Sequence, residues 1–597
     1  MANFTRHLIL LIILYFFVSL VFFNDSIVLK KNTALIIAPL GYVVNQLSGT
    51  PSEKLMNQIQ GSDVPETQMR DLLKAIESAT FDERISVLVL RPDYMWSIGL
   101  ADLKELEAAI DKFRQQSQKP VIAIADNMTQ NQYYFANLAD EIILDPQAFM
   151  FFQGYGSYRN YFKDGLDKLG VNVHLFRVGE YKSAAEPYIR NDMSDEAKES
   201  ALHYMNDIWD TYLAGVSSRR NINIEDIKQV IENQASLLKD SEGNMAQMYK
   251  KAGLIDQIKN EHFKNKYIAG LSAEENNKDG YRNIKFNDYL LKLAEEKATE
   301  RVNKIAVIVA EGTILDGEQD AGTIGGVTTS ALLRQARLDK SVKAVVLRVN
   351  SPGGSVFASE QIRREVDAIK VAGKPIVVSM GNVAASGGYW ISMTSDKIYA
   401  SDATITGSIG IYGMFMTYPE TLKKIGIHTD GVGTSSWAGA FRTDRELSDE
   451  FAELIQANID HGYQQFITSV ALARGLEVDM VDTIARGRVW SARQAKELGL
   501  IDEIGGLNDA LADAASRANI GDNYDVIWIE PELSEMQKFF MSSLAHASSM
   551  LDINLVSEKQ QMLQQLLSPI EESLKLVVNA KRGQVTEYAH CFCDIKQ

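Results

Sequence analysis

Lys374-Pro375-Ile376-Val377-Val378-Ser379-Met380 is a lysine and a proline followed by an almost unbroken apolar run, and Lys119-Pro120-Val121-Ile122-Ala123-Ile124 has the same form. A short run without polar alternation is what a strand covered on both faces of a parallel sheet requires. Its return in the other half of the chain is one of several such returns. Ala34-Leu35-Ile36-Ile37 answers Ile305-Ala306-Val307-Ile308-Val309, and Val87-Leu88-Val89-Leu90-Arg91 answers Ala344-Val345-Val346-Leu347-Arg348. Met193-Ser194-Asp195-Glu196 and Leu447-Ser448-Asp449-Glu450 both read as helix starts with serine at the N-cap. Gly253-Leu254-Ile255-Asp256 matches Gly499-Leu500-Ile501-Asp502. Helical-period stretches such as 329–338 and 359–372 lie between the apolar runs. The pattern predicts an α/β fold written twice, two tandem domains built on largely parallel sheets.

The copies differ where chemistry would sit. The second continues Ala384-Ala385-Ser386-Gly387-Gly388-Tyr389-Trp390, whereas the first has Thr129-Gln130-Asn131-Gln132-Tyr133-Tyr134, with Asn131 aligned to the serine. Conversely, the first copy has Gly179-Glu180-Tyr181-Lys182-Ser183-Ala184-Ala185, and the aligned second-copy stretch, 433–440, has no lysine. A serine kept in one copy and a lysine in the other is how a duplicated serine–lysine hydrolase would specialise. Serine is a poor nucleophile until a base lies within hydrogen-bond reach. Histidine is the usual base, but His428 and His461 sit in no motif that suggests the role. Lys182 can act only if burial keeps it neutral. Ala184 and Ala185 permit burial, whereas Glu180 and Glu186 would oppose deprotonation unless they point away. Read from its neighbours alone, Lys182 is an ordinary surface lysine. The segment Leu347-Arg348-Val349-Asn350-Ser351-Pro352-Gly353-Gly354-Ser355 is a strand running into a Pro-Gly-Gly turn and a helix. Its amides, with that of Gly387, could receive an oxyanion, although taken alone the turn is also a simple strand–helix connection. The first copy has Met95-Trp96-Ser97 near the matching position, so it has lost this turn together with the serine.

A formal charge of −17 over 597 residues, with no long basic run, argues against nucleic acid as a partner. Residues 8–23 are uncharged and apolar, slightly short of the roughly 20 residues of a spanning helix. No small-residue cleavage site follows Phe23, so an uncleaved signal anchor is favoured over a cleaved signal, with the acidic body outside the cytoplasm. The two cysteines, Cys591 and Cys593, fall in the last seven residues and are too few for a metal site or a disulfide framework; they read as a solvent-exposed pair. The boundaries suggested by the repeat are an anchor over 1–28, a first copy over 29–285, a helical connector over 286–303, a second copy over 304–522 and a helical tail over 523–597. The tail includes the amphipathic stretch 562–567. The aromatic-rich stretch 149–162 reads either as sheet packing or as a rim for hydrophobic peptides.

Taken together, the segments 350–355, 384–390, 406–410 (Thr406-Gly407-Ser408-Ile409-Gly410) and 179–184 closely resemble the signal peptide peptidase A family, also called protease IV, in its long tandem-repeat form. That family belongs to the Clp-protease and crotonase-like superfamily, and the resemblance covers nearly the whole chain. It implies two crotonase-like domains behind an N-terminal transmembrane helix. Ser386 would be the nucleophile, Lys182 the general base, the Gly354 and Gly387 amides the oxyanion donors, with Gly353 an alternative to Gly354, and Ser408 the group that orients the lysine. It further implies a membrane-anchored serine endopeptidase that degrades cleaved signal peptides and other hydrophobic peptides. The setting would be the bacterial inner membrane, with the body on the periplasmic side, and the assembly a homo-oligomer, with a tetramer as one candidate. No metal and no cofactor are expected. Two rivals remain at this point: an acyl-CoA hydratase-like enzyme on the same superfold, and an inactive membrane-tethered scaffold.

Overall fold

The computed structural model describes residues 28–50, 53–54, 64–296, 301–531, 587–591 and 593. The expected anchor at 8–23 and the stretch 562–567 lie outside these residues. Among the described residues no helix is long and apolar enough to cross a membrane.

The apolar runs form two parallel sheets with matching strand sequences. In the first, the strands in spatial order are Asn283–Lys285, Thr33–Ile37, Ile85–Leu90, Val121–Ala125, Glu141–Leu144 and Gln257–Ile258, and all five pairings are parallel. In the second, Asp525–Trp528, Lys304–Glu311, Val342–Ser351 and Ile376–Ala385 repeat that order. Lys397–Ala400 and Glu503–Ile504 continue it from the first half of Ile376–Ala385. The far end of the same long strand instead pairs with Ile405–Gly407, to which Val489–Ser491 adds antiparallel. Strand residues alternate between two cores because successive side chains point to opposite faces. Leu35, Leu88 and Ala123 lie in one apolar cluster, and Ala34, Val87 and Ile122 in the other. Ile308 and Val345 are likewise separated from Ile305 and Val346 in the second copy.

The repeated polar residues have structural work. The lysine that opens each Lys-Pro strand caps the carbonyl end of the second helix back along the chain. Lys119 Nζ donates to the carbonyls of Ala79 at 2.8 Å and Asp82 at 2.7 Å, beyond Met69–Phe81. Lys374 Nζ does the same to Ala336 at 2.9 Å and Asp339 at 2.5 Å, beyond Gly326–Leu338. Ser194 and Ser448 each cap a 26-residue helix, Asp195–Arg220 and Asp449–Arg474.

Three expectations require correction. Residues 525–528 form a strand on Lys304–Glu311, so the second copy extends past 522 into the segment read as a helical tail. Farther along that segment, Glu587–His590 is also a strand. The supposed connector begins as the helix Phe286–Glu295, which buries Phe286 and Tyr289 in the first copy's core and therefore belongs to that copy. Cys591 and Cys593 are buried, at 6% and 2% exposure, and joined to each other, because the C-terminal strand carries them into the protein.

A third sheet joins the copies. Its order is Ile324–Gly325, Ile314–Leu315, Gly353–Ser355, Glu587–His590, Tyr412–Thr417 and Asn172–Arg177. The last strand comes from the first copy and pairs antiparallel with Tyr412–Thr417 of the second over six residues. A buried ion cluster makes the other junction. Arg348, fully buried on the second copy's strand, donates to Asp102 at 3.2 Å and Glu105 at 2.6 Å on the first copy's helix Leu100–Ser117, and to Asn45 and Ser379. Asn382 also donates to Asp102. Removing one member of such a cluster strands the others without water. Arg348→Met is expected to cost about 3–5 kcal/mol, read as a lowered thermal midpoint. An unchanged midpoint would mean that the junction is held elsewhere.

Candidate active site

Ser386 follows the strand Ile376–Ala385 directly and precedes a four-residue helix, Gly387–Trp390. Its φ of 56° and ψ of −113° are costly for a residue with a side chain. The surroundings hold it there. Ser386 N–H donates to the Gly407 carbonyl at 2.8 Å, and Trp390 N–H donates to the Ser386 carbonyl at 2.8 Å. The short helix is pinned by Tyr389 Oη donating to the Leu500 carbonyl at 2.8 Å and by Trp390 Nε1 donating to Glu360 at 3.0 Å. The neighbouring glycines are required by close approach, since a methyl on Gly388 would lie 2.5 Å from the Ser351 carbonyl oxygen.

Lys182 arrives from the other copy. The strand Asn172–Arg177 delivers it, and Tyr181 N–H donates to the Arg486 carbonyl at 3.1 Å to fix the turn. Lys182 Nζ lies 2.6 Å from Ser386 Oγ, 3.0 Å from the Ser408 carbonyl oxygen and 3.1 Å from Ser408 Oγ. The residue is 2% exposed, and burial holds its amine well below the usual lysine range. The two glutamates that could have opposed this turn away. Glu180 pairs with Arg486 at 3.4 Å, and Glu186 accepts from the Ser194 backbone N–H at 3.2 Å and from the Ser194 hydroxyl. A neutral amine has two N–H groups and one lone pair. Two N–H groups for Ser408 and a lone pair for the Ser386 hydroxyl satisfy all three contacts. Ser408 itself is held at φ 50°, with its N–H on the Arg488 carbonyl at 2.7 Å.

The glycine turn faces the same point. Gly353 N–H donates to Ser351 Oγ at 3.1 Å, so of the two candidate donors Gly353 is already engaged. The Gly354 nitrogen faces Gly387, and a methyl on Gly387 would lie 3.0 Å from it. Ser386, Lys182, Ser408, Gly354 and Gly387 thus form one constellation. His428 and His461 are exposed on the surface, outside it.

The structure shifts one alignment. Tyr133 Oη donates to the Leu254 carbonyl at 2.9 Å just as Tyr389 does to Leu500, which puts Gln130, rather than Asn131, opposite Ser386. Counting back from the tyrosine of each copy would have found this. Gln130 ties the aromatic stretch: its Oε1 accepts from Gln153 N–H at 3.1 Å and Gly154 N–H at 2.9 Å. Within that stretch Phe152 is buried, as packing requires, and Phe149, Phe151 and Tyr158 are exposed.

A serine in a strained turn, a desolvated amine at hydrogen-bond distance and converging amides are the equipment of a serine hydrolase. The sequence pattern of Peptidase family S49 matches residues 113–268 and 368–521, once in each copy. The chain is 41% identical over 500 residues to Protease 4 of Haemophilus influenzae, covering 83% of this chain and 81% of that protein. It is 41% identical over 501 residues to Protease 4 of Salmonella typhi, covering 83% and 78%. It is 29% identical over 494 residues to a chloroplastic serine protease SPPA of Arabidopsis thaliana, covering 81% and 70%. The chain belongs to peptidase family S49 and is a serine peptidase.

Burial of the amine has a measurable cost. The unfolded chain protonates Lys182 below its ordinary pKa of about 10.4, whereas the folded site disfavours that proton, so stability falls as pH drops from the unfolded pKa toward the folded one. Lys182→Met is therefore expected to raise the thermal midpoint at pH 7, with a gain that shrinks as pH approaches 10. A destabilised variant, or a gain independent of pH, would contradict a neutral buried amine.

Proposed function

We propose that the protein is a membrane-anchored serine endopeptidase that uses a Ser386–Lys182 dyad to degrade cleaved signal peptides and other hydrophobic peptides. The observation that carries this reading is the 2.6 Å contact between Lys182 Nζ and Ser386 Oγ, with no carboxylate paired to the amine among the described residues. In the proposed reaction neutral Lys182 accepts the Ser386 proton as Oγ attacks the scissile carbonyl carbon. The Gly354 and Gly387 N–H groups receive the oxyanion. As the C–N bond breaks, Lys182 protonates the departing amine. Lys182 then takes a proton from the water that attacks the acyl ester and returns it to Ser386 Oγ as the ester bond breaks. Ser408 holds the amine with its lone pair toward Oγ.

The names of the two bacterial relatives support proteolysis, and the exposed Phe149, Phe151 and Tyr158 support hydrophobic peptides as substrates. Residues 8–23 support an N-terminal anchor in the bacterial inner membrane, with the body on the periplasmic side. A homo-oligomer, with a tetramer as one candidate, is proposed from the exposed Ile425, Ile427, Val432, Trp437 and Phe441, a run of apolar side chains in want of cover. Membership in a peptidase family disfavours the acyl-CoA hydratase-like alternative, and the assembled dyad gives no support to an inactive scaffold.

On a hydrophobic signal-sequence peptide, Ser386→Ala and Lys182→Ala are each expected to lower kcat/KM by on the order of 10³-fold or more while remaining folded. Lys182→Arg should not rescue, because a guanidinium stays protonated. Full activity in Lys182→Ala would place the base elsewhere. For the wild type, kcat/KM should fall on the acid side as Lys182 gains its proton, through one ionisation well below the usual lysine range. The Ser386→Ala residual rate should lack that limb.

A further inference from the structure

A short segment of the second copy touches both halves of the dyad. It runs from Arg486 into the strand Val489–Ser491, which pairs antiparallel with Ile405–Gly407, and the Gly407 carbonyl accepts the Ser386 N–H. Arg486 sits at φ 52°, a costly angle for a residue with a side chain, and Gly487 N–H holds the turn by donating to the Ile409 carbonyl at 2.9 Å. Successive residues then meet the Lys182 turn and the Ser408 turn. The Arg486 carbonyl accepts the Tyr181 N–H, and the Arg488 carbonyl accepts the Ser408 N–H. Between them Gly487 lies so close that a methyl on it would come within 2.6 Å of the Lys182 nitrogen. Arg488 adds a side-chain contact. Its guanidinium lies over the Tyr181 ring at 4.9 Å from the centroid and over the Trp490 ring at 4.7 Å. It also donates to Tyr181 Oη at 3.3 Å and pairs with Glu199 at 2.9 Å. Tyr181 and Glu199 belong to the first copy, Arg488 and Trp490 to the second. The rest of the strand follows one face of the first copy's helix Asp195–Arg220. Val489 N–H donates to Ser200 Oγ at 3.4 Å, the Trp490 ring lies against His203, and Arg493 pairs with Asp207 at 2.7 Å. The Arg486–Glu180 pair at 3.4 Å also spans the copies, but a half-exposed pair of this kind holds little.

We propose that Arg488 is a positioning residue for the peptidase reaction: clasping Tyr181 across the two copies, it seats Lys182 against Ser386 and closes the amine off from water. The inference rests on the serine–lysine reading above. Tyr181 is fastened at its backbone by Arg486 and at its ring by Arg488, so the residue before Lys182 is held at both ends. Without the guanidinium only the backbone bond remains, and the ring no longer shuts that side of the site. Burial alone depresses the Lys182 amine, so water admitted there returns it toward its ordinary range. Arg177 donates to the Lys182 carbonyl at 3.1 Å, and Glu180 and Glu186 have their own partners. Arg159, Tyr204 and His590 line the pocket that Lys182 also lines. All six are the same in the wild type and in the variants below, so a change in the amine's titration reports the clasp.

The test is the pH profile of kcat and KM for the full chain on a hydrophobic signal-sequence peptide, with the thermal midpoint read for each variant. Arg488→Gln is expected to lower kcat at pH 7 by roughly 10- to 100-fold with KM little changed. It should also move the acid limb of kcat/KM to higher pH, so that part of the loss is recovered as pH rises. Tyr181→Leu keeps the guanidinium and removes the ring it clasps, and should do the same. The double variant should shift the limb no farther than the larger single shift, because both substitutions break one contact. A limb left at the wild-type position in either variant that stays folded, a loss equal at all pH values, or two shifts that add overturns the proposal, while the wild-type limb keeps the dyad standing. If the wild type has no acid limb and Lys182→Ala keeps its activity, the dyad reading falls and the proposal with it.

Discussion

A lysine gives up its proton readily only where water is taken away and no counter-charge is supplied, and the surroundings of Lys182 are of that kind. A carboxylate within a few ångströms would restore the proton, so Glu180 and Glu186, both close to Lys182 in sequence, are each drawn to partners elsewhere. What remains around the amine is one hydroxyl to deprotonate, and a carbonyl and a second hydroxyl from Ser408 to orient it. Either copy alone would be short of the necessary walls. The amine descends from the first copy, its cradle is made by the second, and the shared sheet at Asn172–Arg177 and Tyr412–Thr417 closes one over the other.

That requirement accounts for the duplication having become unequal. Each copy keeps its parallel sheet, its lysine-capped helix and its serine-capped long helix, which are demands of folding. The parts that differ are demands of the site. The second copy bears a strained Ser386 and a glycine turn that lets backbone amides approach. At the equivalent position the first copy uses Gln130 to fasten the aromatic stretch, with Thr129 capping an ordinary helix, Gln130–Ala136. The buried Arg348 cluster ties the two copies together, which matters because the proposed dyad, divided between them, would tolerate little relative motion.

Much of this was legible in the sequence because it is periodic or local. The apolar runs named the strands, Ser194 and Ser448 named their helices, and the glycine motifs named the turn. The failures are failures of distance. Nothing near Lys182 in the chain announces its burial, since the groups its amine meets, Ser386 and Ser408, lie 204 and 226 positions away. Asp525–Trp528 is too short to read as a strand until Lys304–Glu311 offers its edge. The helix Phe286–Glu295 looks like a charged connector because only Phe286 and Tyr289 on it are fully buried. Cys591 and Cys593 read as exposed because no local pattern foretells a strand inserted between two others from the far end of the chain. The alignment of Asn131 with the serine fails because the residues between strand and helix differ in number, and only the tyrosine's hydrogen bond sets the register.

The central claim is the protonation state of one amine, and it can be measured directly. With lysine side chains isotopically labelled and the Lys182 signal assigned by its disappearance in Lys182→Met, NMR titration reports the amine's own ionisation. The account predicts a neutral Lys182 at pH 7 that gains its proton only in the acid range. A signal that titrates near the ordinary lysine value of about 10.4 would contradict it, because a protonated amine 2.6 Å from Ser386 Oγ cannot take the serine's proton.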